Sequence, residues 1–448
     1  MEQLKSIILI SLITSSLLLT YALWSNQSDY QVNREEEALI DAELRGGERL
    51  NKSEVITPTH MIARHSDFPS PIGFNDEALS TDFYQRFRAL SLYNFSVLTF
   101  SNNWFQEVEN RIEIVFQTEL PSYVIYDLFD VDQETYVPEA GFNRIIVLED
   151  HDVYQVLFKN DQTDTVIAAN AQNFDQNYQT FMNLFNQEEG LRSYQVFEGS
   201  RGTEIYLPEE TTKQVLLFSY TDLDTDAFQN LLFSNPAIVR SAYTIGGDTN
   251  LIDGTREMVI DSKHIQFTNL TNEQKEVERE LTAYQLFDQV QSYLNAHLGF
   301  TFSEPFGYRL NQIQQTSLQS EVSYHLTYRN TPIFYEQELA EIAVHWHNQS
   351  LYQYKHPLIV LLDQRGVGQT LTELPTAEEV IEILQGPNYQ GTAIYDVVLG
   401  YRFTEPSTGQ GQVYALTPTW YVRGIHGFTP LVEPVDEEGG VSRAMGPN

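Results

Sequence analysis

The chain has 448 residues, with 62 acidic and 26 basic side chains, which gives a formal net charge of −36 at pH 7. This charge repels phosphate backbones, so it excludes nucleic-acid binding, and it makes anionic lipid headgroups poor partners for the folded part. The absence of cysteine excludes disulfides and thiolate metal sites, and a chain of this length and 42% hydrophobic content predicts roughly two or three folded units.

The first predicted element is an uncharged apolar stretch at residues 7–24. As a helix rising about 1.5 Å per residue it is about 27 Å long, enough to cross the hydrocarbon core of a bilayer. No small-residue cleavage site follows it, and Tyr21 and Trp24 lie where amphipathic rings favour the headgroup layer. We therefore expect an uncleaved signal anchor that holds the protein in the lipid bilayer.

The orientation of this anchor follows from the charges at its two ends. Lys5 and the terminal amine mark the short N-terminal side, whereas Arg34 lies farther along the other flank. Basic residues favour the cytoplasmic side, so residues 1–6 are predicted to be cytoplasmic and the bulk of the chain extracellular. The predicted location is the cell membrane, crossed once.

One face of the anchor carries small and hydroxyl side chains. At helical spacing this face contains Ser11, Thr14, Ser15, Leu18 and Ala22. Small residues let a second helix approach closely, so these five positions are a candidate packing face for another transmembrane helix. The alternative is that the hydroxyls only bond to the preceding turn of a lone helix.

The next two predicted units are a stalk and an N-terminal α+β domain. Residues 25–54 are polar and acidic, as expected of a stalk. For the domain, at 55–190, apolar periodicity predicts two helices and three strands. The helical stripes are Phe83, Phe87 and Leu90, then Phe174, Tyr178, Phe181 and Phe185, and the strands lie near 112–116, 145–148 and 153–158.

A small middle α+β domain is predicted over 191–275. It contains a strand at 215–219, a helix over 226–233 that ends before Pro236, and a hairpin across 256–268. Asp222, Asp224 and Asp226 precede the helix and resemble the opening of a calcium loop. Because the glycine and the glutamate that such a loop needs are missing, we expect these acids to cap the helix instead.

The C-terminal α+β domain is predicted over 276–430, with a tail at 431–448. A helix with Leu286, Phe287, Val290, Tyr293 and Leu294 on one face precedes strands at 322–328, 342–346 and 358–362. The pattern then restarts: a capping box at Thr376 to Glu379 begins a helix that Gly386 ends, and strands follow at 395–403 and 413–422. This order predicts a pseudo-repeat of helix followed by hairpin.

The sequence contains none of the common catalytic or phosphate-binding motifs. The patterns G-x-S-x-G, S-x-x-K, K-T-G, H-E-x-x-H and the P-loop are all missing. His345 and His347 share one face of a predicted strand, where His325 or His356 could join them around a metal, although ordinary sheet-face histidines are more common. We therefore predict no enzyme, no catalytic residue, no cofactor and no metal.

Several segments, taken in order, resemble the YycH family of Gram-positive bacteria over nearly the whole chain. They are the anchor ending in Leu23 and Trp24, 206–208 (Tyr-Leu-Pro), 253–256 (Asp-Gly-Thr-Arg) and 416–422 (Leu-Thr-Pro-Thr-Trp-Tyr-Val). The resemblance implies a single transmembrane helix followed by a multidomain extracytoplasmic α+β region of mixed helices and antiparallel sheets.

The same resemblance implies a function in cell-wall homeostasis. A YycH-like protein is expected to regulate the essential sensor histidine kinase WalK of a two-component system, together with a YycI-like membrane protein, through transmembrane and extracellular contacts. Two alternatives remain: a module that binds cell-wall polymers by stacking exposed Tyr and Phe rings on sugars, and a wall hydrolase with an unrecognised carboxylate pair.

Overall fold

The computed structural model describes residues 43–432 apart from 45, 100–107, 109, 151–152, 164, 188, 210–213, 244–246, 262, 273–280, 316–319, 336–338, 348–349, 372–373 and 405–412. The helices of this part are α1 (Lys52–Val55), α2 (Glu77–Arg88), α3 (Ile125–Leu128), α4 (Phe174–Phe185), α5 (Thr225–Leu232), α6 (Ala283–Ala296) and α7 (Ala377–Gln385).

The strands up to residue 208 are β1 (Gly47–Glu48), β2 (His60–Arg64), β3 (Ile72–Phe74), β4 (Leu92–Thr99), β5 (Arg111–Pro121), β6 (Gly141–Asp150), β7 (Val153–Lys159), β8 (Thr165–Ala171), β9 (Leu191–Glu198) and β10 (Glu204–Pro208). Strands β2 to β10 form one antiparallel sheet in the order β10-β9-β3-β2-β5-β6-β7-β8-β4, which we call the first sheet.

The later strands are β11 (Gln214–Asp222), β12 (Arg240–Tyr243), β13 (Thr249–Ile252), β14 (Arg256–Ile260), β15 (His264–Asn269), β16 (Phe300–Thr301), β17 (Phe306–Gln315), β18 (Ser320–Tyr328), β19 (Thr331–Phe334), β20 (Glu341–His347), β21 (Ser350–Pro357), β22 (Ile359–Leu371), β23 (Asp396–Thr404), β24 (Val413–Gly424) and β25 (Gly427–Pro430). All except β16 belong to the second sheet, whose main path is β12-β13-β14-β15-β21-β20-β18-β19-β23-β24-β11-β22.

The second sheet is antiparallel except at the β19–β23 pair, which is parallel. Strand β17 pairs with β18, β25 pairs with β24, and β16 pairs with β1 in a separate two-stranded sheet. Mixed helices with mainly antiparallel sheets are the fold class that the sequence predicts. The strands of the predicted middle domain, 191–275, are shared between the two sheets: β9 and β10 belong to the first sheet, and β11 to β15 belong to the second. The division of the chain into three domains stays a prediction.

Apolar periodicity explains how the helices attach to the first sheet. Helix α2 is capped by Asp76, whose side chain accepts a hydrogen bond from the Leu79 amide. Its Phe83 meets Phe181 and Phe185 of α4 with ring centroids 5.3 Å apart in both pairs. Because all three rings are fully buried, they close one face of the sheet with a substantial apolar contribution to stability.

Candidate functional site

The predicted packing face of the anchor, which comprises Ser11, Thr14, Ser15, Leu18 and Ala22, lies outside the described residues. The same holds for the whole of 7–24 and for most of the predicted stalk and tail. None of the helices in the described part of the chain is both long and apolar enough to cross a membrane. The anchor therefore stays a prediction. The described residues nearest to it in the chain, beginning at residue 43, show how it would be connected to the folded part.

Residues 43–59, which we call the connecting segment, are bound to helix α6. The backbone of Leu50 is held by Asn295: the Leu50 amide donates to Oδ1 at 3.0 Å, and Nδ2 donates to the Leu50 carbonyl at 2.8 Å. Gln291 Nε2 donates to the same carbonyl at 2.5 Å. Because β1 also pairs with β16, the segment is fixed along its length to the C-terminal half of the chain.

Lys52 ties the connecting segment to both halves of the protein. Its Nζ lies 2.6 Å from Asp288 of α6 and 3.3 Å from Asp127 of α3, and it donates to the Tyr284 hydroxyl at 3.0 Å. Burial lowers the pKa of Lys52, but the hydrogen bonds to Asp288 and Tyr284 and the charge of Asp127 outweigh it, so the net pKa is raised. Lys52 is therefore a charged junction between α1, α3 and α6.

A buried ion network covers the face of the first sheet opposite its helices. In β5, Ile112 and Ile114 face the helices, so Arg111 and Glu113 face the other side. Glu113 is 1% exposed and accepts hydrogen bonds from Arg111 Nε at 2.6 Å, Arg144 Nη1 at 2.5 Å and the Tyr206 hydroxyl at 2.8 Å. One carboxylate thus joins β5, β6 and β10.

Two further carboxylates complete the network. Glu204 lies 2.6 Å from Arg111 Nη2 and 3.2 Å from Arg64 Nη1, while Asp161 lies 2.6 Å from Lys159 and 3.2 Å from Arg144. Burial raises the pKa of Asp161, but the charges of Arg144 and Lys159 outweigh it and lower that pKa to about 2. Each of the three carboxylates pairs with two basic side chains, and this pairing is how proteins tolerate ions at this depth.

Polar contacts join the two sheets beside this network. Gln117 Nε2 of β5 donates to Asn311 Oδ1 of β17 at 2.9 Å, and the Gln117 carbonyl accepts from Arg423 of β24. Asp396, at the start of β23, lines a cavity of about 20 Å³ next to Arg144, and burial raises its pKa. Among the described strands, none of the first sheet pairs with one of the second, and polar contacts such as these connect the two sheets.

A cleft of about 1520 Å³ opens between the two sheets. The first half of the chain contributes α2 and His60, Arg192 and Tyr194 to its lining, and the second half contributes Arg309 and Tyr328. Acidic side chains line it at Glu54 and along the first turns of α2. The cleft is larger than a typical small-molecule pocket, and its lining combines aromatic rings with charged side chains.

The histidines that the sequence analysis considered as possible metal ligands lie in separate environments. His345 Nε2 lies 3.4 Å from Glu321, His325 Nε2 lies 3.7 Å from Glu341, and His356 is buried between the carbonyls of Pro357 and Gly299. Within the described residues, no three His, Asp or Glu side chains are grouped so as to hold a metal. Each of these histidines has a structural environment in the second sheet.

The acids before helix α5 act as the cap that the sequence predicts. Asp224 is the N-cap residue, and its Oδ1 accepts a hydrogen bond from the Asp226 amide at 3.0 Å. This satisfies one of the free amide donors at the helix start, and the negative charge is favourable there. No calcium ligand is required to explain these residues.

Few large aromatic side chains in the described part of the chain are available to stack on sugars. Those that are well exposed are Tyr93, Tyr136 and Tyr243, at 45%, 73% and 80%, with no phenylalanine among them. Most of the other rings lie in the core. This weighs against the alternative of a wall-polymer module.

Sequence reasoning missed both the ion network and the cleft. In β5, charged residues alternate with Ile112 and Ile114, and this pattern normally indicates a solvent-exposed face. The signal that was available is the pair of opposite charges, Arg111 and Glu113, two positions apart on one strand. Nothing in the sequence shows that Arg144 and Glu204 lie beside them.

Comparison with known proteins identifies the family. The family descriptions "YycH protein, N-terminal domain" and "YycH protein, C-terminal domain" match residues 2–190 and 202–430. The "Two-component system WalR/WalK regulatory protein YycH" of Bacillus subtilis (strain 168) is 21% identical over 476 aligned positions, which cover 99% of each chain. The crystal structure of YycH from Bacillus subtilis superposes with a TM-score of 0.65 at 18% identity, covering 86% of this chain and 99% of that one. The chain therefore belongs to the YycH family, as its motifs predict.

Proposed function

We propose that this protein is a membrane-anchored, extracytoplasmic regulator of a WalK-type sensor histidine kinase and that it is not an enzyme. Membership of the YycH family supports the proposal, because the full-length Bacillus subtilis relative is named as a regulatory protein of the WalR/WalK system. The proposed partners are the kinase and a YycI-like membrane protein. The anchor at 7–24 would meet their transmembrane helices, and the folded region would contact their outer parts.

The observation that carries a mechanism is the attachment of the connecting segment. This segment follows the predicted anchor and includes the last residues of the predicted stalk. Leu50 and Lys52 fix it to α6, while Lys52 also reaches α3. A shift of the anchor would therefore be transmitted to the folded halves, and an event at their surface would be transmitted back. A coupling of about 1–3 kcal/mol would change the balance of a two-state kinase severalfold.

The predicted packing face gives the sharpest test. Ser11→Leu with Ser15→Leu removes two hydroxyl side chains from that face, whereas Ser16→Leu with Thr20→Leu removes two from the opposite face of the same helix. Both variants should insert in the membrane at the wild-type level. We expect the first pair to change expression of a WalR-dependent reporter severalfold in cells that depend on this protein, and the second pair to leave it unchanged.

The control outcomes separate the parts of this proposal. If both pairs of substitutions changed reporter expression equally, the proposal that the anchor packs through one specific face would be wrong. If replacement of 7–24 by polyleucine left regulation unchanged, transmembrane contacts would not be the mechanism. If deletion of the whole protein left the reporter unchanged, the regulatory function itself would be refuted.

A further inference from the structure

The cleft between the two sheets contains a buried arginine whose charge has no acidic partner in the described residues. Arg309 of β17 is 2% exposed, and its Nε donates to Thr57 Oγ1 at 2.9 Å. Its Nη2 donates to the carbonyl oxygen of Asn330 at 2.5 Å and also to the Asn330 side chain. Nη1 is buried and, within the described part of the chain, has no hydrogen-bond partner. A buried cation in this state is costly, because no carboxylate among the described residues compensates its charge.

A partly buried histidine of the same cleft, His60, also has unsatisfied polar atoms. Both ring nitrogens of His60 are buried and lack a hydrogen-bond partner among the described residues, although its ring packs edge-on against Tyr194 at 5.7 Å. Burial, together with the charges of Arg192, Arg309 and Arg144, lowers the pKa of His60 to about 3. The imidazole is therefore neutral and retains one N–H donor.

Arg192 supplies a second cation to this end of the cleft. Its Nε donates to the Tyr194 hydroxyl at 2.8 Å, and its guanidinium lies over the ring of that tyrosine at 5.2 Å. None of the ion pairs found among the described residues includes Arg192 or Arg309. The buried network differs in this respect, because Arg111 and Arg144 are each paired there.

Three of the acids that line the cleft have other partners, as does Glu341 of β20. Asp82 pairs with Arg86 at 2.9 Å, Asp76 caps α2, and Glu54 accepts from the Asn51 amide at 2.6 Å. Glu341, the carboxylate beside His325, accepts from Asn311 at 3.1 Å. The chain has a net charge of −36, yet this end of the cleft contains two arginines that form no ion pair among the described residues. The local charge there is therefore opposite in sign to that of the whole chain.

We propose that His60, Arg192 and Arg309 form a binding site for an oxyanion, either a phosphate group or a carboxylate, carried by a ligand that occupies the cleft. An oxyanion there would accept hydrogen bonds from Arg309 Nη1 and from the His60 N–H, and it would neutralise the arginines. Since His60 and Arg192 belong to the first sheet and Arg309 to the second, the anion would join the two. This site does not depend on the proposed kinase regulation.

The competing explanation is that Arg309 only secures the turn at Asn330. That role accounts for Nε and Nη2, but it accounts neither for the unpartnered Nη1 nor for the two unsatisfied nitrogens of His60. It also predicts no response to anions. Binding measurements on variants that keep Arg309 therefore distinguish the two.

The experiment uses the full-length protein in a maltoside detergent and follows thermal unfolding and calorimetric titration. The probes are inorganic phosphate and succinate, each compared with sodium chloride at equal ionic strength. We expect at least one of the two anions to bind at a single site and to raise the unfolding temperature in a saturable way. Binding of only phosphate or only succinate would identify the type of oxyanion.

Two variants test the residues. Arg192→Gln and His60→Phe should fold, because Arg192 is partly exposed and the His60 nitrogens have no partners to lose. Each should weaken anion binding about tenfold or more. Arg192→Gln removes a positive charge from the site, and His60→Phe removes the imidazole N–H donor. Arg329→Gln is the matched control: this exposed arginine lines the same cleft and, as Arg192 does, lies over a tyrosine ring, that of Tyr328 at 5.5 Å.

The proposal is overturned by any of three results. The first is no response to phosphate or succinate beyond that to sodium chloride. The second is wild-type affinity in both Arg192→Gln and His60→Phe. The third is an equal loss in Arg329→Gln, which would show attraction by general positive charge and not by this site.

Discussion

Lys52 and Asp288 are joined by an ion pair with 2.6 Å between Nζ and Oδ1, and this pair connects the beginning of the described chain to a helix more than half the sequence away. The lysine side chain is 15% exposed and the aspartate 50%. Because Asp127 and Tyr284 contact the same amine, Lys52 interacts with three side chains and not with Asp288 alone. This makes the connecting segment part of the folded structure.

Lys52→Met should weaken this junction without unfolding the protein. We expect a loss of about 1 kcal/mol in the free energy of unfolding, because the pair is partly exposed and the methionine retains much of the apolar stem. If the connecting segment transmits signals, the reporter response should fall more than stability does. Arg86→Met breaks the exposed Arg86–Asp82 pair and should change both readouts little. Equal reporter effects of the two variants would contradict a special role for Lys52.

Glu113→Gln should be among the most destabilising single-atom changes in this protein. It leaves Arg111 and Arg144 buried with less compensating charge, at a cost of about 3 kcal/mol at neutral pH. Urea unfolding followed by circular dichroism would measure it. Glu378→Gln, on the exposed first turn of α7, is the control and should cost less than about 0.5 kcal/mol.

The cost of Glu113→Gln should depend on pH in a defined direction. Burial raises the pKa of Glu113, but the charges of Arg144 and Arg111 outweigh it and lower the pKa to about 2. A carboxyl with a depressed folded-state pKa stabilises fully above its unfolded value, about 4.3, and loses this contribution as the pH falls through the folded value. The difference in the free energy of unfolding between the wild type and Glu113→Gln should therefore become smaller as the pH falls from about 4 to about 2. If this difference were the same at pH 4 and at pH 2, the lowered pKa of Glu113 in the folded protein would be refuted.

Local patterns predicted most of the individual elements. The stripe Phe174, Tyr178, Phe181 and Phe185 forms α4 and is buried as expected, and the capping box at Thr376 and Glu379 begins α7. The turn before Pro332 reverses the chain between β18 and β19. These features depend on residues within a few positions of each other, so the sequence contains the information directly.

The arrangement of the elements could not be predicted in this way. Strand β11 lies between β24 and β22, and β19 runs parallel to β23, pairings that join residues far apart in the chain. Periodicity indicates which face of a strand is buried but not which strand lies next to it. His60, Arg192 and Arg309 were missed for the same reason, because only the assembled sheets bring them to one cleft.

Gly400→Ala should disrupt the parallel contact between β19 and β23. A Cβ atom there would lie 2.7 Å from the Phe334 ring and 2.9 Å from the Pro332 carbonyl oxygen. We expect a loss of about 2 kcal/mol, since the backbone oxygen cannot move away easily. Gly366→Ala in β22 is the control, because its Cβ would meet nothing within 4 Å. Thermal unfolding of the two variants gives the comparison, and equal melting temperatures would contradict it.

Trp420 and Trp346 provide a test of how buried indole hydrogen bonds stabilise the second sheet. Trp420 Nε1 donates to the Pro375 carbonyl at 2.9 Å, next to the N-terminus of α7, whereas Trp346 Nε1 is buried with no partner among the described residues. Trp420→Phe should cost about 2 kcal/mol, because it leaves the Pro375 carbonyl unsatisfied in addition to removing apolar contact.

Trp346 is only partly buried, so Trp346→Phe loses less buried apolar area and no hydrogen bond, and it should cost about 1 kcal/mol. Urea unfolding should be followed by far-ultraviolet circular dichroism, because both substitutions change the fluorescence. The ordering of the two variants is the result that matters. If Trp346→Phe were the more destabilising, the bond from Trp420 to Pro375 would not be what fixes α7 to the β23–β24 hairpin, and apolar packing under α7 would account for that attachment.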